Sequence, residues 1–298
     1  MAWADNAVDR TALGGTAASS KPFIPDLWRD EIIAARENNL VHAKLFQRIN
    51  HVGKKGDNLH IPTISNVTAN AKAESTQVTL TAVSETDTVI VLNKHYEVSH
   101  LYEDMAMVQT SYQLRNEYTK KAGYALAKQM DSDVSALSTS ISTSSPDHWI
   151  QGDGTDYAKG SGSAVTLDKT GVLTAIKLLD IQDVPMERFF IINPTVRAQL
   201  LAIADFTYYD RTTMPTIKTG AWGQIFGVSV HISNNMSTDN SNDVCLLAHE
   251  SAFACAVQMD VRVQAQYLQD YLAWLVTSDH IYGVKILRDE HGVCVVAG

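Results

Sequence analysis

From residue 57 to 95 the apolar positions are sparse and spaced for extended chain rather than for a helix. Asn58-Leu59-His60-Ile61-Pro62-Thr63-Ile64 and Asp87-Thr88-Val89-Ile90-Val91-Leu92-Asn93 read as two strands. Between them, residues 65–88 are almost wholly Ser, Thr, Asn, Ala, Val and Glu. Val67, Val78, Leu80 and Val83 are the sizeable apolar groups there, and no aromatic is present. β-Branched residues favour extended backbone, yet a lone two-stranded hairpin is marginal in water. The pattern predicts a long hairpin arm that is stable only when it lies on another surface. That points to an assembly protein more than to a self-contained enzyme.

The period then changes. Tyr118, Ala122, Leu126, Met130, Val134, Leu137 and Ile141 step by fours and threes, one continuous apolar stripe on a helix. Thr110 with Gln113 resembles a capping box at its start. A helix from about 111 to 141 would be ~45 Å long at ~1.5 Å per residue. Lys120, Lys121, Lys128, Gln129 and Asp133 form its expected solvated face.

Before the arm, residues 1–22 show no periodicity, with Gly14-Gly15 and Ser19-Ser20. Asp26 can cap a helix running from 27 to about 46, and Gly53-Lys54-Lys55-Gly56-Asp57 is a turn that launches the arm. Beyond a Ser/Gly/Asp-rich passage at 142–163, helices and strands alternate. A helix is expected at 168–183 and a buried strand at 188–192. Asn193-Pro194 supplies an N-cap and a first-turn proline for a helix to 204. Strands are expected at 227–233, 244–249, 261–267 and 292–296, and 271–276 is strand or helix. The sum is an α+β chain without an internal repeat.

With 298 residues, 45% hydrophobic, the chain can bury a full core as one elaborate domain or two. The net charge of −9 argues against broad nucleic-acid binding, because the basic runs are only Lys54-Lys55 and Lys120-Lys121. Cys245, Cys255 and Cys294 sit in apolar contexts without CxxC spacing, which fits buried free thiols in a reducing compartment. The first 20 residues lack a cationic start and an apolar run, so no signal peptide is expected. No segment approaches the ~20 apolar residues of a membrane helix, and a soluble chain is expected.

The search for chemistry is negative. His249-Glu250 begins like a zinc-protease helix motif, but Phe253 stands where the second His is required. Gly152-Asp153-Gly154-Thr155-Asp156 has oxygen ligands as in a calcium loop but lacks the closing bidentate Glu. Gly160 and Gly162 precede no GK[ST] and form no phosphate cradle. Ser278-Asp279-His280 are adjacent, so their side chains diverge and say little about a triad. Glu85 and Asp87 read as contact residues of a polar arm. No catalytic, cofactor-binding or metal-binding residue is assigned, and no cofactor is expected.

The order of parts resembles the major capsid proteins of tailed bacteriophages with the HK97 fold. Phe23-Ile24-Pro25-Asp26-Leu27-Trp28-Arg29-Asp30-Glu31-Ile32 with Asn39-Leu40-Val41 is similar to their N-arm, and Lys55-Gly56-Asp57-Asn58-Leu59-His60-Ile61-Pro62-Thr63-Ile64 to the start of their extended loop. Tyr124-Ala125-Leu126-Ala127-Lys128-Gln129-Met130-Asp131-Ser132-Asp133 looks like the second half of their spine helix. Ile192-Asn193-Pro194, Gly227-Val228-Ser229-Val230-His231-Ile232-Ser233-Asn234-Asn235 and His280-Ile281-Tyr282-Gly283-Val284-Lys285 extend the likeness in order across about 22–296.

The resemblance implies an N-terminal arm at 1–56, an extended loop at 57–95, and a peripheral domain with the spine helix at 96–165. An axial domain at 166–260 and a return at 261–298 to the peripheral and axial sheets complete it. It implies a structural, non-enzymatic subunit that assembles into hexamers and pentamers of an icosahedral shell around double-stranded DNA. Its partners would be identical subunits, a portal protein, a scaffolding protein and a decoration protein in some relatives. Contact with packaged DNA would be weak and non-specific, and no membrane is involved. Only 22 residues precede Phe23, so a separate scaffolding protein is expected. Some members crosslink a loop lysine to a neighbour's asparagine; Lys72 is a loop lysine, but no crosslink is expected. Assembly would occur in the host cytoplasm. The alternatives are a soluble α/β enzyme with a hairpin lid, or another phage component such as a tail-tube protein.

Overall fold

Strands that are apolar on both faces belong inside a sheet covered on both sides, and the second half of the chain is built from such strands. The computed structural model describes residues 40–53, 55–64, 67–78, 80, 85–105, 114–143, 148–162, 164–203 and 224–298. Within them β6 (Arg188–Ile192) and β13 (Gly292–Ala297) are buried at every position, and β10 (Asn242–His249) from Val244 to Ala248. They centre a seven-stranded mixed sheet in the order β5 (Trp149–Gln151), β13, β10, β6, β8 (Val228–Ile232), β7 (Gln224–Ile225), with β9 (Thr238–Asp239) paired to β10.

Two helices cover one face of this sheet. Asp168 caps α3 (Lys169–Ile181), its carboxylate accepting from the Thr170 and Gly171 N–H groups at 2.7 and 3.1 Å. Asn193 caps α4 (Pro194–Ala202), accepting from the Val196 N–H at 2.8 Å, with Pro194 in the first turn. Their apolar sides, Val172, Ala175, Leu179, Val196 and Leu200, pack on Phe190, Ile192, Val230, Leu247, Val293 and Val295. Gly171 is required here, because a Cβ would lie 2.1 Å from the Gly152 carbonyl oxygen.

A four-stranded sheet runs in the order β1 (Gln47–Asn50), β11 (Phe253–Leu268), β12 (Ala273–Ile286), β4 (Lys94–Glu103). β1 is parallel to β11, whereas β4 lies antiparallel on β12 through ten registered pairs, Lys94 with Tyr282 through Glu103 with Ala273. The long helix α2 (Leu114–Ser138) packs against this sheet. Its stripe is buried at Ala122, Leu126 and Val134, and Ile141 just beyond its end is buried too. Val134 and Ile141 share a second core with Trp149, Tyr157, Phe253 and Tyr282 and with the other face of the larger sheet, Phe189, Ile191, Leu246 and Val296.

Several expectations shift. The helix expected at 27–46 is represented by one turn, α1 (His42–Leu45); Phe46 turns extended, and residues 47–50 become β1. The Phe46 ring packs edge-on against Phe189 at 5.1 Å and tilted on Phe253 at 4.6 Å, and this tertiary packing overrides the local pattern. The rest of that helix and the capping pair Thr110 and Gln113 lie outside the described residues. Asp133 is not on a solvated face: its carboxylate holds Lys94 Nζ at 3.0 Å and the Tyr282 hydroxyl at 2.7 Å. Strand β11 starts at Phe253, earlier than expected, and 273–276 opens a strand.

Candidate assembly surfaces

The hairpin forms as its flanks predict: β2 (Asn58–Ile64) pairs antiparallel with β3 (Glu85–Val91), Asn58 opposite Val91 and Ile64 opposite Glu85. It is a separate two-stranded sheet with two contrasting ends. At the root Ile90 is fully buried, and Leu59, Ile61 and Leu92 join it against Ala254, Ala256, Ile49 and Leu287. The Leu92 N–H donates to the Asp57 carbonyl at 2.8 Å, and Gln258 Nε2 to the Gly56 carbonyl at 2.7 Å. Gly283 lets β3 approach this closely, since a Cβ there would lie 2.3 Å from the Val91 carbonyl oxygen.

Away from the root the large apolar side chains among the arm's described residues are exposed. Ile64, Val67, Val78 and Leu80 are 66%, 62%, 60% and 89% exposed. On the strands His60 meets Asp87 in an exposed cross-strand pair. Burying such side chains gains about 25 cal/mol per Å² of apolar surface. The arm therefore holds an unrealised binding contribution that only a second surface can collect.

A polar latch ties the start of the described chain to the long helix. His42 Nδ1 lies 3.2 Å from Asp131 Oδ2, and both side chains are buried. The same carboxylate accepts from the Ala43 N–H at 3.0 Å and from Asn235 Nδ2 at 3.0 Å. Burial alone would raise the Asp131 pKa. Hydrogen bonds from His42, Asn235 and Ala43, with the His42 charge, outweigh it and hold the carboxyl below its ordinary value.

The four-stranded sheet carries a second cluster, centred on Asp279. Arg262 donates from Nε to Asp279 Oδ1 at 3.1 Å and from Nη2 to Oδ2 at 2.8 Å. His95 Nε2 approaches Oδ2 at 3.2 Å, so one carboxylate joins β11, β12 and β4. The Arg262 hydrogen bond is the chief reason the Asp279 carboxyl sits below its ordinary pKa. On the opposite face His280 is buried and stacks on Tyr282, ring centroids 4.7 Å apart and planes 8° from parallel. Neither His280 ring nitrogen has a hydrogen-bond partner, and burial lowers its pKa. The Tyr282 phenol is pushed up by burial and by its bond to Asp133.

None of the motif fragments becomes a reaction centre. His249 Nδ1 contacts Ser251 Oγ at 2.8 Å, and that hydroxyl meets His291 Nδ1 at 2.6 Å, closing two short turns against each other. Asp153 accepts from the Thr155 N–H and hydroxyl at 2.9 and 2.7 Å, a local turn in place of a cation loop. Asp279 faces away from Ser278 and His280 across the sheet, as strand alternation requires. Among the described residues no three His, Cys, Asp or Glu side chains converge to hold a metal. The pocket under α3 is lined by Val172, Ala175, Phe190, Ile225, Val230 and Leu247, which offer no titratable group. Cys245, Cys255 and Cys294 are buried free thiols, and burial pushes the first two up to about 12 and about 11. Among the described residues no helix is long and apolar enough to cross a membrane.

The fold as a whole is similar to that of chains in solved phage structures. A chain from Mycobacterium phage Che8 is 24% identical and superposes with a TM-score of 0.76 over 92% of this chain and 97% of its own. The capsid of cyanophage P-SCSP1u is 16% identical, TM-score 0.78, covering 99% of both chains. The mature capsid of bacteriophage PhiM1 is 12% identical, TM-score 0.74, over 97% and 96%. No curated protein sequence matches the chain. The sequence model of the phage capsid protein family matches residues 45–297.

The chain belongs to the phage capsid protein family. It is a major capsid protein with the HK97-like fold, a structural component of the virion shell. The titratable clusters above bind its own strands and helices together. The arm was legible in the sequence; the latch and the Asp279 cluster were not. Their partners are separated by 89 residues for His42 and Asp131 and by 184 for His95 and Asp279, beyond any local spacing rule.

Proposed function

We propose that this capsid protein assembles into hexamers and pentamers of an icosahedral head that encloses double-stranded DNA. The observation that carries the reading is the two-ended arm: a root fixed in the subunit's core and a polar distal part whose few large apolar side chains, Ile64, Val67, Val78 and Leu80, are exposed to solvent. Such an arm is stable only on a neighbour, and in a shell of one repeated chain the neighbour is another copy. We assign residues 1–56 to an N-terminal arm, 57–95 to the extended loop, 96–165 to a peripheral domain and 166–260 to an axial domain. Residues 261–298 form a return segment. Support for that return comes from its strands, which add β12 to the four-stranded sheet and β13 to the seven-stranded one.

The subunit has no enzymatic role in this reading, and its titratable clusters serve cohesion. Assembly takes place in the host cytoplasm with a separate scaffolding protein and a portal. DNA contact is weak and non-specific, in keeping with the net charge of −9. Lys72 is not crosslinked. Electron microscopy of the chain co-expressed with its scaffold tests the proposal: closed shells are expected, and persistently monomeric protein overturns it. Deletion of residues 66–86 should leave a folded subunit that cannot form shells; normal shells from that deletion would remove the arm from the mechanism.

A further inference from the structure

The chain passes between the two large sheets through three connections. The long helix α2 leads from β4 to β5, a 3₁₀ turn at Glu250–Ala252 from β10 to β11, and another at Asp289–His291 from β12 back to β13. The two turns lie side by side. Ala248 near the end of β10 is opposite Gly292 at the start of β13, and Phe253 at the start of β11 is opposite Ile286 at the end of β12. The β10–β13 and β11–β12 ladders stop at those pairs. Between them the Leu287 and Arg288 N–H groups converge on one acceptor, the Ala252 carbonyl, at 2.8 and 3.2 Å. The helical connection is pinned at the same spot: His148 Nδ1–H donates to the Gly292 carbonyl at 2.8 Å, and Trp149 Nε1–H to the Ile141 carbonyl at 3.0 Å.

Side chains close what the ladders leave open. His249 Nδ1 accepts from the Ser251 N–H at 3.2 Å and lies 2.8 Å from Ser251 Oγ, which lies 2.6 Å from His291 Nδ1. This geometry sets the direction of the hydrogen bonds. A ring nitrogen that accepts from a backbone N–H carries no proton, so the hydroxyl donates to His249 Nδ1 and its oxygen accepts from His291 Nδ1–H. With both rings neutral every bond of the relay is satisfied. A proton added to His291 goes to Nε2 and leaves the relay standing. One added to His249 goes to Nδ1, and the relay's last acceptor becomes a donor facing two other donors.

We infer that Ser251 with His249 and His291 is a proton-operated latch on the angle between the two sheets, closed while His249 is neutral and released when its Nδ1 is protonated. The inference concerns the single subunit and does not rest on the shell-forming reading. His249 and Ser251 are partly exposed, so a proton reaches the relay without opening either core. Charged groups on the neighbouring elements are Arg188 on β6, in register with His249, and Arg288, Glu250, Asp289 and Glu290 on the turns. Arg188 is committed to Asp180 at 2.6 Å, and the three carboxylates are exposed to solvent that screens them. Burial, with the charges of Arg288 and His249, holds the His291 ring below its ordinary pKa against the opposite pull of Glu290. That keeps the middle of the relay neutral and leaves its outer end to respond. The bonds lost on protonation belong to the two turns and not to the cores, as a hinge requires.

The test is the distance between the two sheets in the unassembled subunit. Spin labels on Lys177→Cys, in α3 over the larger sheet, and on Gln266→Cys, in β11, occupy exposed positions, and the three native thiols are buried. Double electron–electron resonance is recorded from about pH 7.5 to about pH 5.5, across the ordinary histidine range. One distance is expected at the upper end and a second growing in as pH falls. Their ratio should change by up to about tenfold per pH unit, as a single proton requires. Ser251→Ala should show the second distance already at the upper end, Ser251→Thr should follow the parent, and His249→Gln should lose the pH dependence. A parent distance that does not move with pH overturns the latch. A shift that persists in His249→Gln assigns the change to another group and overturns it equally, as does Ser251→Ala with parent-like distances. If Ser251→Ala does not fold, the comparison of the parent with His249→Gln decides alone.

Discussion

Arg262 holds Asp279 through two nitrogens across the β11–β12 pair, at 3.1 and 2.8 Å, and His95 reaches the same carboxylate from β4. One acidic side chain therefore ties together three strands whose order is set by their backbone ladders. The first prediction concerns its charge. Asp279 titrates below its ordinary value in the fold, so its contribution is present above the unfolded carboxyl pKa near 4 and is lost as pH falls through the depressed folded value. Asp279→Asn should lower subunit stability at pH 7 and narrow the stability gap between pH 7 and pH 3. Urea titrations of unassembled protein at the two pH values read this directly; a variant whose gap matches the parent's would rule the carboxylate out as a strand clamp.

The His42–Asp131 latch leads to a second prediction with a larger effect. Removing the carboxylate in Asp131→Ala leaves the Ala43 N–H, the Asn235 amide and the His42 ring inside the protein without their shared acceptor. Breaking one side of a buried hydrogen-bonded pair costs about 3 kcal/mol or more. Asp131→Asn, which keeps an acceptor oxygen, should cost less than half as much. Equal and small losses for the two variants, measured by denaturant unfolding, would show that the latch does not hold.

How far these clusters could be read from sequence depends on the distance between partners. The period of four and three located α2, because Ala122, Leu126 and Val134 face one core. Asn193-Pro194 marked a helix start that the structure reproduces, because capping is decided within four residues. Alternation in β4 is present in its sequence too, with exposed His95, Glu97, Ser99, Leu101 and Glu103 between half-buried neighbours, but it adjoins the arm pattern and merges with it. The short β1 could not be anticipated, since Gln47–Asn50 is polar and becomes a strand only by pairing with Ala254–Val257. For the site, composition identified an arm in need of a surface. Where the arm's root sits, against Ala254, Ala256 and Leu287, depends on residues far apart in the sequence, which is a fact of tertiary structure.

His280 supplies the third prediction. Its ring is buried against Tyr282 and neither nitrogen has a partner, so the fold holds the neutral form. A histidine with a lowered folded pKa contributes stability that is fully present above its unfolded value near 6.5 and is lost as pH falls from there through the folded value. His231 and His291 are lowered as well and act in the same direction. His280→Phe should therefore remove part, not all, of the stability lost between pH 7 and pH 5. Thermal melts across that range that superimpose on the parent's would exclude His280 as a contributor.

Gly283 tests whether the arm's root and its tip work as one lever. A Cβ at this position would lie 2.3 Å from the Val91 carbonyl oxygen and 3.0 Å from its carbon, and both are backbone atoms that cannot rotate aside. In Gly283→Ala the β3 strand must move away from β12, loosening Ile90 and Leu92 from Ala254 and Ala256. Forcing a methyl into such a contact costs about 1–3 kcal/mol, and the strain falls on the arm because the strands of the four-stranded sheet are held by their own ladders. The expected phenotype is a folded subunit whose residues 57–95 are cut faster by protease and whose shell assembly fails at concentrations where the parent assembles. Slower assembly with unchanged protease resistance would mean that the root stays seated and that the loss arises elsewhere. Parent-like assembly with a loosened root would mean that the arm needs no fixed origin to reach its neighbour.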